Sequence, residues 1–280
     1  MHRQLVNMLR LVDVRCFYVL MSIFVIPGCL LFNTNHSRTT AYRYFRRRQG
    51  YGRCRAVWAT YVNHCMFGQV VIDRFSMFAG KKFAVKIEGY ETFRRLTGQA
   101  DGFMILSSHI GCYEVAGYSL SSMDKRLNAL VFGGEKESVM AGRSEMLVRH
   151  NIRMIPVKPD MSHLFLVNEA LSNHEIVSMP ADRVVGSTKT VEIDFMGGKA
   201  RLPLGPFAVT TMRKLDAVAV NVMKTGTKKY TVYVSALSYD KQAARRDQVR
   251  QLADSYVAEL ERQVRQYPGQ WYNFFEFWNE

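Results

Sequence analysis

The chain has 280 residues, 48% of them hydrophobic, and a formal net charge of +14. That length and apolar content exclude a disordered chain and allow a sizeable core. The positive balance asks for an acidic partner. No zinc-finger spacing or other nucleic-acid module is present, so anionic lipid or a phosphorylated substrate is expected and nucleic acid is not.

In chain order, residues 16–32 are uncharged and mostly apolar. This is near the lower length limit for a spanning helix, and Pro27-Gly28 should kink it. Two placements stay open, a short signal anchor or a helix lying in the interface. Between Asp13 and Asp73 there is no acidic residue, yet Arg15, Arg38, Arg43, Arg46, Arg47, Arg48, Arg53 and Arg55 fall there. A basic block directly after an apolar segment favours an anionic membrane surface, and if the segment spans, the excess of arginine after it would keep the body cytoplasmic. Residues 1–35 are therefore set apart as a membrane-associating segment, and 36–280 as a single catalytic domain.

Residues 54–79 carry a helical apolar repeat that reads as core packing. Strand-like runs follow at 83–88, 102–107, 128–132, 153–157, 175–179, 191–195, 217–223 and 229–236. Helix-like runs lie at 92–98, 113–121, 136–150, 161–172, 207–214 and 242–266. Strands alternating with helices predict an α/β fold, a mixed sheet flanked by helices on both faces. The aromatic ending, Trp271 to Trp278, reads either as an interfacial belt near the bilayer or the acyl chains, or as a segment docked on the core.

Five cysteines, at 16, 29, 54, 65 and 112, contain no C-x-x-C pair and read as reduced core thiols. No H-x-x-x-H or H-E-x-x-H pairing exists, so no metal site is expected, and no cofactor is called for. The absence of a G-x-S-x-G elbow and of a Walker loop removes serine hydrolases and phosphate-loop NTPases.

The chemistry concentrates in Ser107-Ser108-His109-Ile110-Gly111-Cys112-Tyr113-Glu114. An apolar strand precedes it and a helix follows. A histidine in the turn and a carboxylate in the first helical turn can meet even at a spacing of five. A carboxylate on one ring nitrogen fixes the tautomer and makes the other a base for an alcohol proton. On spacing alone, a satisfied histidine at a strand end is the commoner explanation.

The segment Ser108-His109-Ile110-Gly111 followed by Glu114 resembles the H-x4-D/E motif of the glycerolipid acyltransferase superfamily. Its fuller context is similar to the late acyltransferases of lipid A biosynthesis. Met179-Pro180-Ala181-Asp182-Arg183 with Gly186, then Val191 to Gly198, resembles a later block of that family. Pro203-Leu204-Gly205-Pro206-Phe207-Ala208 resembles its G-P helix start, and Tyr267-Pro268-Gly269-Gln270-Trp271 its Y-P-E-Q-W ending. Arg183 stands where glutamine is usual, and Cys112 where asparagine is usual.

The resemblance implies a glycerolipid-acyltransferase-like fold and O-acyl transfer, with His109 as general base and Glu114 orienting it. It implies an acyl carrier protein thioester as donor and a phosphorylated glycolipid, a lipid A precursor, as acceptor. Another glycolipid, a lysophospholipid or an amino-lipid is the alternative acceptor, and a basic lipid-binding protein is the non-enzyme alternative. Arg143 and Arg183, with Lys189 and Arg201 behind them, are candidate phosphate ligands. Asp182 belongs to the same substrate segment. Gly205, at a helix N-terminus, is a candidate for receiving a phosphate or thioester oxygen.

Overall fold

Apolar runs such as Phe103-Met104-Ile105-Leu106 bury side chains on both sides, which suits central strands covered by helices on two faces. The computed structural model describes residues 8–9, 11–32, 36–120, 124–132, 150–158, 160–184, 189–272 and 274–278. The side chains of Phe78, Glu114, Tyr118 and Phe132 lie outside the described part.

The strands are β1 (Ala84–Glu88), β2 (Met104–Gly111), β3 (Leu127–Phe132), β4 (Ile152–Val157), β5 (Ile176–Pro180), β6 (Thr190–Phe195), β7 (Gly198–Pro203), β8 (Ala217–Gly226) and β9 (Lys229–Leu237). Seven form one mixed sheet in the order β1-β9-β8-β2-β5-β3-β4. The pairs β2–β5, β2–β8, β3–β5, β3–β4 and β1–β9 are parallel, and the β8–β9 hairpin is antiparallel. One expectation is corrected. The strand predicted at 191–195 is not in this sheet; it pairs with β7 in a separate antiparallel hairpin. Met196 and Gly197, both at positive φ, turn the chain there, so the strand finds its partner locally.

The helices are α1 (Val14–Leu31), α2 (Ser37–Arg43), α3 (Arg53–Phe78), α4 (Tyr90–Thr97), α5 (Tyr113–Ser119), α6 (His163–Ser172), α7 (Leu204–Met212) and α8 (Arg245–Gln266). The helix predicted at 136–150 lies almost wholly outside the described residues. Alternation along β2 assigns the faces. Met104 and Leu106 pack with α6, α7 and α8 through Val167, Phe207, Leu252 and Tyr256. Ile105 packs on the other face with α3, α4 and α5 through Val70, Leu96 and Val115. Period two in the strands and the stripe on α8 thus build the two layers.

Helix α1 is long and apolar enough to cross a membrane. A wider π turn, Met21–Val25, precedes Pro27, so the ring is accommodated without breaking the helix. The helix lies along α3. The Tyr61 hydroxyl donates to the Ser22 carbonyl at 2.9 Å. A Cβ on Gly68 would stand 2.0 Å from Met21 Sδ, so the glycine permits the close approach. Tyr18, Lys224 and Tyr230 all donate to the buried Asp73 carboxylate, tying α1, α3 and the β8–β9 hairpin together. Burial pushes the Asp73 carboxyl up and the Lys224 ammonium down; their ionic contact opposes both shifts. Leaving any one of these groups unpaired would be costly, so the cluster sets how α1 and α3 sit.

The aromatic ending is docked. Trp271, Tyr272 and Phe277 are buried, and Trp278 stacks on Phe195 and donates its indole N–H to the Phe195 carbonyl at 2.9 Å. Part of the arginine block turns inward to this tail. Arg48 lies 4.6 Å over the Trp278 ring, and Arg43 pairs with Glu276. All five cysteines are free, but the core-thiol expectation holds only for Cys65 and Cys112. Cys16, Cys29 and Cys54 are exposed, on helix faces turned from the core.

Candidate active site

The site is made by the register of two parallel strands. Ser107 of β2 pairs with Pro180 of β5. Two residues further along each chain stand His109 and Asp182, at the carboxyl end of the sheet, where ligand sites of open α/β sheets form. Between Ser107 and Gly111 the pairing of β2 with β8 shifts: Ser107 faces Val220 but Gly111 faces Val222. The extra residues bulge, and such bulges re-aim side chains. Ser108 holds one side of the bulge by donating to Asn221 Oδ1 at 2.7 Å. Gly111 closes it at φ +62°, where an added Cβ would meet the Val222 carbonyl oxygen at 1.7 Å.

His109 sits in that bulge. Its backbone N–H donates to Asp182 Oδ2 at 2.7 Å, and its Nδ1 contacts Asp182 Oδ1 at 2.8 Å. The Asp182 side chain is 4% exposed and the His109 side chain 24%. Burial alone would raise the Asp182 carboxyl. The His109 charge and both hydrogen bonds outweigh it, and the carboxyl is held below its usual range. An ionised carboxylate only accepts, so Nδ1 carries the hydrogen and Nε2 is the basic nitrogen.

The ring lines a cavity of about 630 Å³. Phe67, Val70 and Val71 of α3 form one wall, Val184 another, and Phe274 and Phe275 of the tail a third. Among the described lining residues, Arg74 of α3 and Arg183 carry guanidinium groups. The tail reaches the site because Trp271 bridges to Ile110 and the Tyr272 N–H donates to the His109 carbonyl.

His109, Asp182 and Arg183 are therefore brought together. Glu114 is the second residue of α5, and its side chain lies outside the described part; the carboxylate on Nδ1 in this structure is that of Asp182. Arg143 lies outside the described residues. Gly205 is in the first turn of α7 and is not among the cavity's described lining. Arg201 faces Glu192 across the β6–β7 hairpin. Sequence reasoning took Asp182 for a substrate residue and missed Arg74; the tail, expected near the bilayer or the acyl chains or docked on the core, is docked and lines the cavity with Tyr272, Phe274 and Phe275. Phe67, Val70, Val71 and Arg74 fall on one helical stripe of α3, a spacing the sequence shows, but the spacing alone does not tell a cavity wall from core packing.

Among the described residues no group of three metal-ligating side chains occurs. A site with a base, its orienting carboxylate and an apolar cavity can deprotonate a hydroxyl beside a bound hydrocarbon.

Residues 66–280 match the family described as bacterial lipid A biosynthesis acyltransferase. No curated protein matches the chain. Among solved structures, the chain is matched with the 1-acyl-sn-glycerophosphate acyltransferase PlsC from Thermotoga maritima. That match has 12% identity and a TM-score of 0.40, and covers 95% of this chain and 98% of that one.

Proposed function

Because the chain belongs to the bacterial lipid A biosynthesis acyltransferase family and is an acyltransferase enzyme, we propose that it moves a fatty acyl chain from an acyl carrier protein thioester to a hydroxyl of a phosphorylated lipid A precursor. The observation that carries this reading is the His109–Asp182 pair on the wall of an apolar cavity that also holds two arginines.

In this reaction Nε2 of His109 takes the acceptor hydroxyl proton as the oxygen attacks the thioester carbonyl. The new C–O bond forms, the tetrahedral intermediate collapses, and the C–S bond breaks. The imidazolium returns its proton to the departing thiolate. Asp182 supports the imidazolium that forms, through the contact of its carboxylate with Nδ1. The family motif assigns the same supporting role to Glu114.

The enzyme works at the cytoplasmic face of the inner membrane, with α1 lying along the bilayer surface. Lys228 pairs with Asp13 just before α1, Tyr18 is bonded to Asp73 within it, and Arg38 donates to the Leu30 carbonyl near its end. These ties run along the helix and support a placement in the interface rather than across the bilayer. Its outer face is apolar, with Phe24 70% and Ile23 58% exposed.

A second acceptor reading is a lysophospholipid, because the apolar walls of the cavity suit its hydrocarbon body as well as that of an acylated sugar. Thiol release from an acyl carrier protein thioester, measured with a panel of acceptors, decides. Release with a phosphorylated acylated disaccharide supports the first reading. Release only with a lysophospholipid supports the second.

A further inference from the structure

We infer that Gln270 is a positioning residue for His109. Its carboxamide stands in for the neighbour strand that β8 lacks at its end, and so holds the chain's tail on the main-chain carbonyl of the base. Its part in turnover rests on reading His109 as that base.

The strands β2 and β8 run side by side until β2 leaves the sheet. The last rung is the Cys112 N–H, which donates to the Val222 carbonyl at 2.8 Å before the chain turns into α5. Strand β8 runs on to Gly226. Period two puts the N–H and carbonyl of Lys224 on the same edge as those of Val222, where β2 has already turned away. Gln270 meets them. The Lys224 N–H donates to Gln270 Oε1 at 2.8 Å, and Gln270 Nε2 donates to the Lys224 carbonyl at 2.8 Å. Both residues are buried, so neither main-chain group can be left unpaired without cost. A carboxamide carries donor and acceptor side by side, as a peptide group does, and one side chain satisfies both.

The anchor reaches His109 through the next two residues. Gln270 ends the single turn Pro268–Gln270, and the chain then runs out extended at Trp271. Trp271 bridges to Ile110, and the Tyr272 N–H donates to the His109 carbonyl at 3.4 Å. From α3, the buried Asn63 donates its Nδ2 to the carbonyls of Gly269 and Trp271, at 3.0 and 3.1 Å. The segment is thus gripped on both sides of Gln270.

His109 is therefore fixed at both of its peptide groups. Asp182 takes its N–H, and the tail takes its carbonyl. The second hold is one that Asp182 cannot supply. It matters because a misplacement of about 1 Å at reacting groups costs about a hundredfold in rate. The same grip seats Tyr272, Phe274 and Phe275 in the cavity wall.

Two measurements on full-length protein in detergent test this. The first needs no variant. The amides of Lys224 and Tyr272 should exchange with deuterium as one unit, with protection factors within about threefold, because both open when Gln270 lets go. Protection of Lys224 exceeding that of Tyr272 by about tenfold or more would show the tail leaving His109 while Gln270 stays in place, and would overturn the proposal. The second measurement uses Gln270→Met, which keeps the bulk and loses both bonds. Its readout is the Nδ1–H proton resonance of His109 in histidine-labelled protein, assigned by its loss in His109→Ala. A residue that only adds stability would leave this resonance, and kcat per folded molecule, at their native values. In Gln270→Met the resonance should shift or broaden, and kcat for thiol release should fall about tenfold or more. An unchanged resonance, or a changed one with kcat within about twofold of native, would overturn the proposal. A wrong assignment of His109 as base is a separate failure: it would appear as turnover in His109→Ala, with the exchange and resonance results still standing.

Discussion

The Asp182 carboxylate receives both hydrogen bonds that hold His109, one from the backbone N–H at 2.7 Å and one from ring Nδ1 at 2.8 Å. One acid thus fixes the bulged main chain and the imidazole together. A ring anchored only at its nitrogen could swing; this one is also anchored at its own peptide. The arrangement leaves a basic nitrogen at the wall of an apolar cavity, where a hydroxyl has few competing waters.

Replacing His109 with alanine should lower acyl transfer by about a hundred- to ten-thousand-fold. The circular dichroism spectrum and melting temperature should change little. Near-normal thiol release by this variant would remove the assignment.

The two carboxylates assigned to support His109 can be separated. Asp182→Asn keeps the shape but loses the charge, and should cost at least as much activity as the loss of a general base, about a hundredfold. Glu114→Gln should cost less, because Nδ1 is already engaged by Asp182. Comparing kcat for the two variants checks the order; a larger loss at Glu114 would return the orienting role to it.

Asp182 also sets an expectation for stability against pH. Its folded carboxyl lies below the ordinary value of 3.8. A group lowered on folding contributes stability that is present above its unfolded value and lost as the pH falls through the folded one. The melting temperature of the native protein should therefore drop between about pH 5 and pH 3 more steeply than that of Asp182→Asn. Parallel curves over that window would show that the pair contributes nothing to folding.

Gly111→Ala should be among the most damaging single-methyl additions. The backbone is left-handed at φ +62°, and the new Cβ would overlap the Val222 carbonyl oxygen. Relief requires the β2 bulge to open, which shifts His109. A loss of about 2 kcal/mol or more in unfolding free energy is expected, with activity falling alongside. Denaturant melts of the purified variant would measure it.

The interfacial placement of α1 predicts that Ile23→Glu with Phe24→Glu weakens binding to vesicles containing anionic lipid. Both residues are exposed, so the fold should survive. Removing a bilayer-buried phenylalanine alone forfeits about 1.5–3 kcal/mol, roughly a ten- to hundredfold change in partitioning. Unchanged vesicle sedimentation would rule out this face as the one that meets the membrane.

Much of the fold was legible in the chain itself. The continuous apolar runs at 102–107 and 217–223, and the apolar stripe on α8, come from local composition and spacing, which a sequence displays. His109 was legible too, because its strand-turn-helix context is contiguous. The partner of His109 was not. Asp182 lies 73 residues away, and only the parallel register of Ser107 with Pro180 brings the two together. The same holds for β6, whose alternation suits either a main-sheet strand or a hairpin, and for the aromatic tail, whose rings fit a membrane or a core equally well. Arg74 was hidden for another reason. Its direction depends on where Asp73 is buried, and that is decided by Lys224 and Tyr230 arriving from the β8–β9 hairpin. Periodicity determines which faces a segment offers; only the packed structure decides what each face meets.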